Sequence, residues 1–148
     1  MIVLDVWSSV VVLTNQLIDD FRERYPGTVI DFQDWEAGPT IKELPNCDLV
    51  GPTAITVSEP GPGFIEASFA IAVCSYGSDL FRHRTMLSLI FERLRPEKQM
   101  PLYDAETATV KGYMAFTNGT LLAPMSKAEA RPWQYVQVQA LLDPTAQV

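Results

Sequence analysis

The sequence predicts an α+β fold: one domain with a mostly antiparallel sheet, two amphipathic helices packed on one face of it, and a β-hairpin. Three observations predict it. Residues 64–75 alternate large apolar with small or polar side chains, the period of a strand. Segments 5–25 and 80–95 place apolar residues at spacings of three and four, the period of a helix. Asn118-Gly119 separates two short β-prone runs, a strong short-range hairpin signal. At 148 residues the chain is long enough for one domain with a real core. Its 47% apolar and 20% charged residues are ordinary for a folded protein.

The elements follow in order. Asp5 to Tyr25 reads as a helix, because Val6, Val10, Leu13, Leu17 and Phe21 form one stripe and Pro26-Gly27 stops it. The β-branched run Val10-Val11-Val12 has only moderate helix propensity, so a late start capped by Ser8 or Ser9 is also compatible. Thr28 to Asp34 reads as a short strand, and 35–48 as loop. Leu49 to Ser58 reads as a second strand, interrupted at Gly51-Pro52; proline confines it to an edge or to a start after Pro52. Residues 59–63, Glu-Pro-Gly-Pro-Gly, read as turn or loop.

In the strand 64–75, Ile65, Ala67, Phe69, Ile71 and Val73 take one face and smaller residues the other. Ser78 is the expected N-cap of the second helix, with Asp79 favouring its positive end. Leu80, Arg84, Leu87, Phe91 and Leu94 mark that helix, and Pro96 ends it. Met100–Asp104, Val110–Phe116 and Thr120–Ala123 read as strands, the last two as the hairpin around Asn118-Gly119. Residues 126–131 read as a polar linker, and Trp133–Leu142 as the closing strand. Trp7 and Trp133 are expected in the core. Trp35, between two acids, is either an exposed contact anchor or a ring that holds its loop down.

Charge divides the chain unevenly. Residues 1–60 hold ten acids against three bases, and residues 61–148 hold eight of each, which accounts for the net charge of −7. An acidic first part argues against sequence-specific nucleic-acid binding. It suits a surface past which DNA moves without sticking, or a partner with a basic face. No apolar run reaches the roughly 18 residues of a membrane span, and the N-terminus lacks a signal-peptide pattern, so no membrane role is expected. Cys47 and Cys74 are expected reduced, with Cys74 a small buried strand residue.

Catalytic signals are thin. His83 is the one histidine and sits inside the second helix, one turn from Asp79, with which an i,i+4 pair is the simplest reading. No nucleophile or metal partner is marked by spacing, so no catalytic, metal or cofactor residues are assigned. Asp31, Asp34 and Glu36 are the nearest carboxylate cluster and read as solvated loop charges. The candidate contact residues are Trp35, Glu36, Arg82, Arg84, Arg93 and Arg95. The four arginines are either a solvated helix face or a face that meets a neighbour's acids.

Several segments resemble tail terminator, or tail-completion, proteins of long-tailed bacteriophages. They are Ser68–Asp79 with the following helix to Pro96, Met100–Asp104, the Gly112–Gly119 run and the Tyr135–Gln139 strand. The helix ending before Pro26 is similar in position. The resemblance implies a small virion protein, assembled in the host cytoplasm, that forms a hexameric ring at the head-tail junction. Such a ring caps the tail tube, ends its polymerisation and joins the neck or connector complex, and genome DNA passes through it. The resemblance supplies no catalytic residue and no cofactor. Another neck or connector ring is the nearest alternative, and a small ligand-binding α+β domain the next.

Overall fold

The computed structural model describes residues 2–37, 47–77, 79–96, 98–117, 120–128 and 131–143. Within them the fold is α+β, with two helices and a mostly antiparallel, curled sheet.

Helix α1 spans Ile2–Arg24, three residues earlier than its stripe suggested. Ser9 is no cap. Its hydroxyl donates to the Asp5 carbonyl at 2.7 Å and accepts the Tyr103 amide at 2.9 Å. The β-branched run stays helical because burial outweighs a propensity deficit of a few tenths of a kcal/mol, about 0.5 per residue. Val6, Val10, Leu13, Leu17, Ile18 and Phe21 all enter the core. By length and hydropathy α1 does qualify as a helix that could cross a membrane, contrary to the reading of its short apolar runs. Its buried stripe is already occupied by the sheet and α2, which is the demand that made it apolar. Trp7 is half-buried and lies outside the core cluster.

Strand β1, Ile30–Phe32, is shorter than expected and pairs in parallel with the start of β2, Asp48–Gly61. Trp35–Ala37 forms one 3-10 turn rather than plain loop; residues 38–46 lie outside the described residues. Strand β2 is not broken at Gly51-Pro52. Beyond Val50 it is the sheet edge, where the missing amide of Pro52 is tolerated. Gly51 is there for space: a Cβ at this residue would lie 1.5 Å from the Gln33 carbonyl oxygen. The register slips between Thr53 and Thr56. In that bulge Ala54 adopts a φ of 54°, and its amide donates to the Glu36 carboxylate.

The expected turn at 59–63 is shorter than read: β2 runs on to Gly61, and only Pro62 and Gly63 form the tight turn into β3, Phe64–Cys74, with Gly61 opposite Phe64. Gly63, at a φ of 78°, supplies the left-handed residue that the turn needs after Pro62. Helix α2 spans Leu80–Arg93. Its N-cap is Asp79, whose carboxylate accepts the Arg82 amide at 3.1 Å; Ser78, the expected cap, is outside the described residues.

Strands β4, Gln99–Tyr103, and β5, Val110–Phe116, form an antiparallel pair. The remaining strands are β6, Leu121–Leu122, β7, Ser126–Ala128, and β8, Arg131–Asp143. The sheet order is β1-β2-β3-β8-β5-β4, with β6 and β7 also on β8. The hairpin expected at Asn118-Gly119 is corrected here. Those two residues are outside the described set, and the strands that flank them pair with β8, at Phe116↔Ala140 and Leu122↔Val136, not with each other. A turn signal reports chain reversal or bending, while partner choice is decided by the long apolar strand nearby. The polar linker 126–131 is likewise corrected, because β7 folds back on the start of β8.

The main core joins α1, α2 and one face of the sheet, including Phe69, Ile71, Val136 and Val138. A smaller cluster holds Cys47, Leu49 and Cys74, with Trp35 and Trp133 packed against it.

Candidate functional site

Two clusters of polar groups are built around buried side chains. At the start of α1, the buried Asp5 accepts the Ala105 amide at 2.8 Å and pairs with Lys111. Burial pushes its carboxyl up, but Lys111 and the Ala105 amide outweigh burial and hold it below the ordinary range. Nearby, Asp104 accepts the amides of Glu106 and Thr107, which lower its pKa, and so fixes the β4–β5 turn.

The second cluster lies where α2 begins. His83 is 1% exposed. Its Nδ1 is 2.6 Å from the Ser75 hydroxyl and its Nε2 is 2.9 Å from Gln134 Oε1. Gln134 Nε2 donates to the Ala123 carbonyl at 2.9 Å, which turns Oε1 toward the ring. Nε2 of His83 therefore carries the proton, and Nδ1 accepts from Ser75. Burial lowers the His83 pKa below 6.5, with Arg84 adding to that and Gln134 and Asp48 opposing it. The expected pairing of His83 with the Asp79 side chain is not made, because Asp79 caps the helix.

Next to this chain lies Asp48, also buried, which accepts the Tyr76 amide at 2.7 Å and Arg82 Nη2 at 3.1 Å. Burial raises its pKa, against the pull of those donors. Arg131 donates to the carbonyls of Ser75 and Cys47 and ties β8 to the end of β3. Cys47 and Cys74 are both buried and free, and burial first, then Asp31, pushes the Cys47 thiol up to about 11. A serine beside a histidine is a nucleophile-base arrangement in outline. Here Ser75 and His83 are 4% and 1% exposed, so solvent-borne substrate does not reach either.

The candidate contact residues are dispersed. Trp35 is folded down: its indole donates to the Ala72 carbonyl at 3.2 Å and meets Trp133 edge to face at 6.0 Å. Glu36 holds the Ala54 bulge, and Asp34 accepts the Glu36 amide. Arg82 is spent on Asp48 and the Tyr76 carbonyl. Arg93 pairs with Asp20 of α1 at 2.7 Å, and Arg95 with Glu92 at 3.5 Å. Arg84 is the one of the four arginines whose side chain makes no hydrogen bond or ion pair among the described residues; its carbonyl accepts the Ser88 hydroxyl at 2.9 Å.

Arg84 borders a surface groove of about 450 Å³ between α2 and β6. Leu87, Phe91 and Leu122 give it an apolar floor, and Ser88, Glu92 and Gln134 complete the lining. Phe81, 76% exposed, extends the same helix face by one turn, and Leu121 beside Leu122 is 55% exposed. The sequence signal for this groove was weak, since β6 reads as half of a hairpin. The buried acids had a signal that was missed: Asp5 and Ser9 sit four apart within an apolar stripe, and Asp48 interrupts Cys47-Leu49-Val50.

Among the described residues, no group of three or more His, Cys, Asp or Glu is arranged to hold a metal ion. No protein-family model matches the chain, and no curated protein matches it in sequence.

Proposed function

We propose that this chain is a structural, non-enzymatic ring-former of a long-tailed phage virion: a tail terminator. In this reading it assembles as a homo-hexamer, caps the tail tube and meets the neck or connector complex, with DNA passing through unread. Both helices lie on one face of the sheet, which leaves its other features for contact.

One observation carries the reading. Asp5, Asp48, Ser75 and His83 are buried and hydrogen-bonded within the fold, while large apolar side chains stand on the surface. Phe64, Phe81, Leu121 and Leu122 are 59%, 76%, 55% and 44% exposed. Of these, Leu122 lines the α2–β6 groove and Phe81 and Leu121 adjoin it, and an exposed apolar patch of that kind favours a protein contact. The resemblance of segments 68–96, 100–104 and 135–139 to tail terminators supplies the specific assembly, and the acidic residues 1–60 suit a path for DNA.

The test is electron microscopy of the purified chain, alone and with tail tubes. Six copies at one tube end support the terminator reading. Rings that ignore tubes but bind a connector make it a neck protein, and a monomer that binds neither removes both readings.

A further inference from the structure

We infer that copies of this chain join head to tail, the β2–β3 hairpin tip of one seated in the α2–β6 groove of the next. This deepens the ring-former reading and rests on it.

The tip is built as a plug. Its turn, Gly61-Pro62-Gly63, is stiffened by proline and by the Gly63 amide donating to Glu59 at 3.1 Å. Phe64 projects from it with 59% of its surface exposed. Glu66, two residues on, is exposed, and its carboxylate makes no hydrogen bond or ion pair among the described residues. The tip therefore offers one aromatic ring and one unspent carboxylate on the same strand face.

The groove offers the complement: an apolar floor of Leu87, Phe91 and Leu122, and the unspent Arg84 on its rim. Glu92 in the same lining is turned to Arg95, which removes it as a competitor for Arg84. An aromatic anchor in an apolar groove beside one opposite-charge pair is the composition of an interface hot spot.

The two features cannot meet within one chain. Leu122 lies opposite Val136 near the middle of β8, whereas the tip leaves the sheet beyond the Ile65↔Leu142 pair at the end of β8. Six strand residues, about 20 Å, separate those two pairs. The tip points further away, so the occupant of the groove is a second copy. Plug and groove occupy different surfaces, so the contact is heterologous: it generates rings when its rotation closes and filaments when it does not.

Sedimentation of the full chain tests this with two variants, groove-dead Arg84→Glu and plug-dead Phe64→Ala/Glu66→Ala. All three residues are exposed, and circular dichroism checks that folding persists. Each variant is expected to weaken self-association about tenfold or more. An equimolar mixture of the two is expected to yield 1:1 dimers and nothing larger, because one copy keeps its plug and the other its groove. Wild-type protein that associates while both variants do so equally well overturns the hairpin-groove contact and leaves the ring reading standing. Mixed assemblies larger than a dimer overturn the head-to-tail geometry. A wild-type monomer up to about 1 mM, the weak end of specific association, overturns the contact too. Tube capping then judges the ring reading separately.

Discussion

The two faces of the sheet are built from the same strands under opposite demands. On one face Phe69 and Ile71 of β3 meet Val136 and Val138 of β8 in one core cluster with residues of both helices, all at or near zero exposure. On the other, alternate residues of those strands divide the face in two. One end, Leu49, Cys74 and Trp133, is covered by Trp35. The other end, Thr56, Ser58, Glu66, Ser68 and Gln139, lines a shallow polar groove. The first face is held by many interlocking side chains, and the second depends on one tryptophan delivered by the 3-10 turn. Stability is thus concentrated on the first face, and freedom to vary on the far end of the second.

Four measurements break or sharpen that contrast. Phe69→Ala is expected to cost about 3–5 kcal/mol in chemical denaturation, since it empties the centre of the larger core. A loss below about 1 kcal/mol means that this face is not the core. Trp35→Ala is expected to cost about 2 kcal/mol, because a half-buried ring with one hydrogen bond and one edge-to-face partner is removed. A cost equal to that of Phe69→Ala makes the two faces energetically alike.

The third measurement uses pH. His83 bonds to Ser75 and Gln134, neighbours of Val73 and Val136 in two strands of the larger core. Its folded pKa lies below 6.5 through burial, so the unfolded chain takes up the proton first as pH falls. The associated stability is fully present above 6.5 and is lost as pH drops from there toward the folded value. Melting temperatures of wild type and His83→Gln across pH 5 to 8 are expected to differ in slope below about 6.5, the variant being flatter. Parallel curves remove His83 as the source; Asp48, raised by burial, has the opposite sign and is common to both proteins. Smallest of the four, Ser68→Ala is expected to change stability by less than about 0.5 kcal/mol. A larger loss shows that the open end of the second face carries structural weight.

Much of this contrast was legible in the residues. The alternation of Ile65, Ala67, Phe69, Ile71 and Val73 identified both β3 and its buried face, because a period of two has one interpretation over eleven residues. The Pro96 stop was equally plain, but the α2 stripe was read on the wrong face: His83, Met86, Leu87 and Ile90 are buried, while Arg84 is exposed and Leu80 and Phe91 are only half-buried. Pairing was not legible. Asn118-Gly119 announces a turn but carries no information on which strand its flanks will choose, and β8 took both. Strand β7 was hidden because Ser126 and Lys127 are exposed edge residues with no apolar alternation. The contact arginines were legible as a cluster on α2 but not by fate, since Asp20, Asp48 and Glu92 reached three of them through the fold. Trp35 belonged to the second of its two readings.

The pairing of β3 with β8 also sets a timetable. These central strands are joined at Ile65↔Leu142 and Cys74↔Trp133, so the middle of the sheet waits for a strand that follows β3 only after α2 and β4 to β7 have been synthesised. The β2–β3 hairpin is local and forms early, whereas β8 brings a long loop closure and high contact order. Until β8 leaves the ribosome, the nascent chain presents one apolar rim of β3 with its backbone unpaired, the state most open to chaperones and to aggregation. A chain cut before Trp133 loses the strand that joins β3 to β5, and with it the continuity of the sheet.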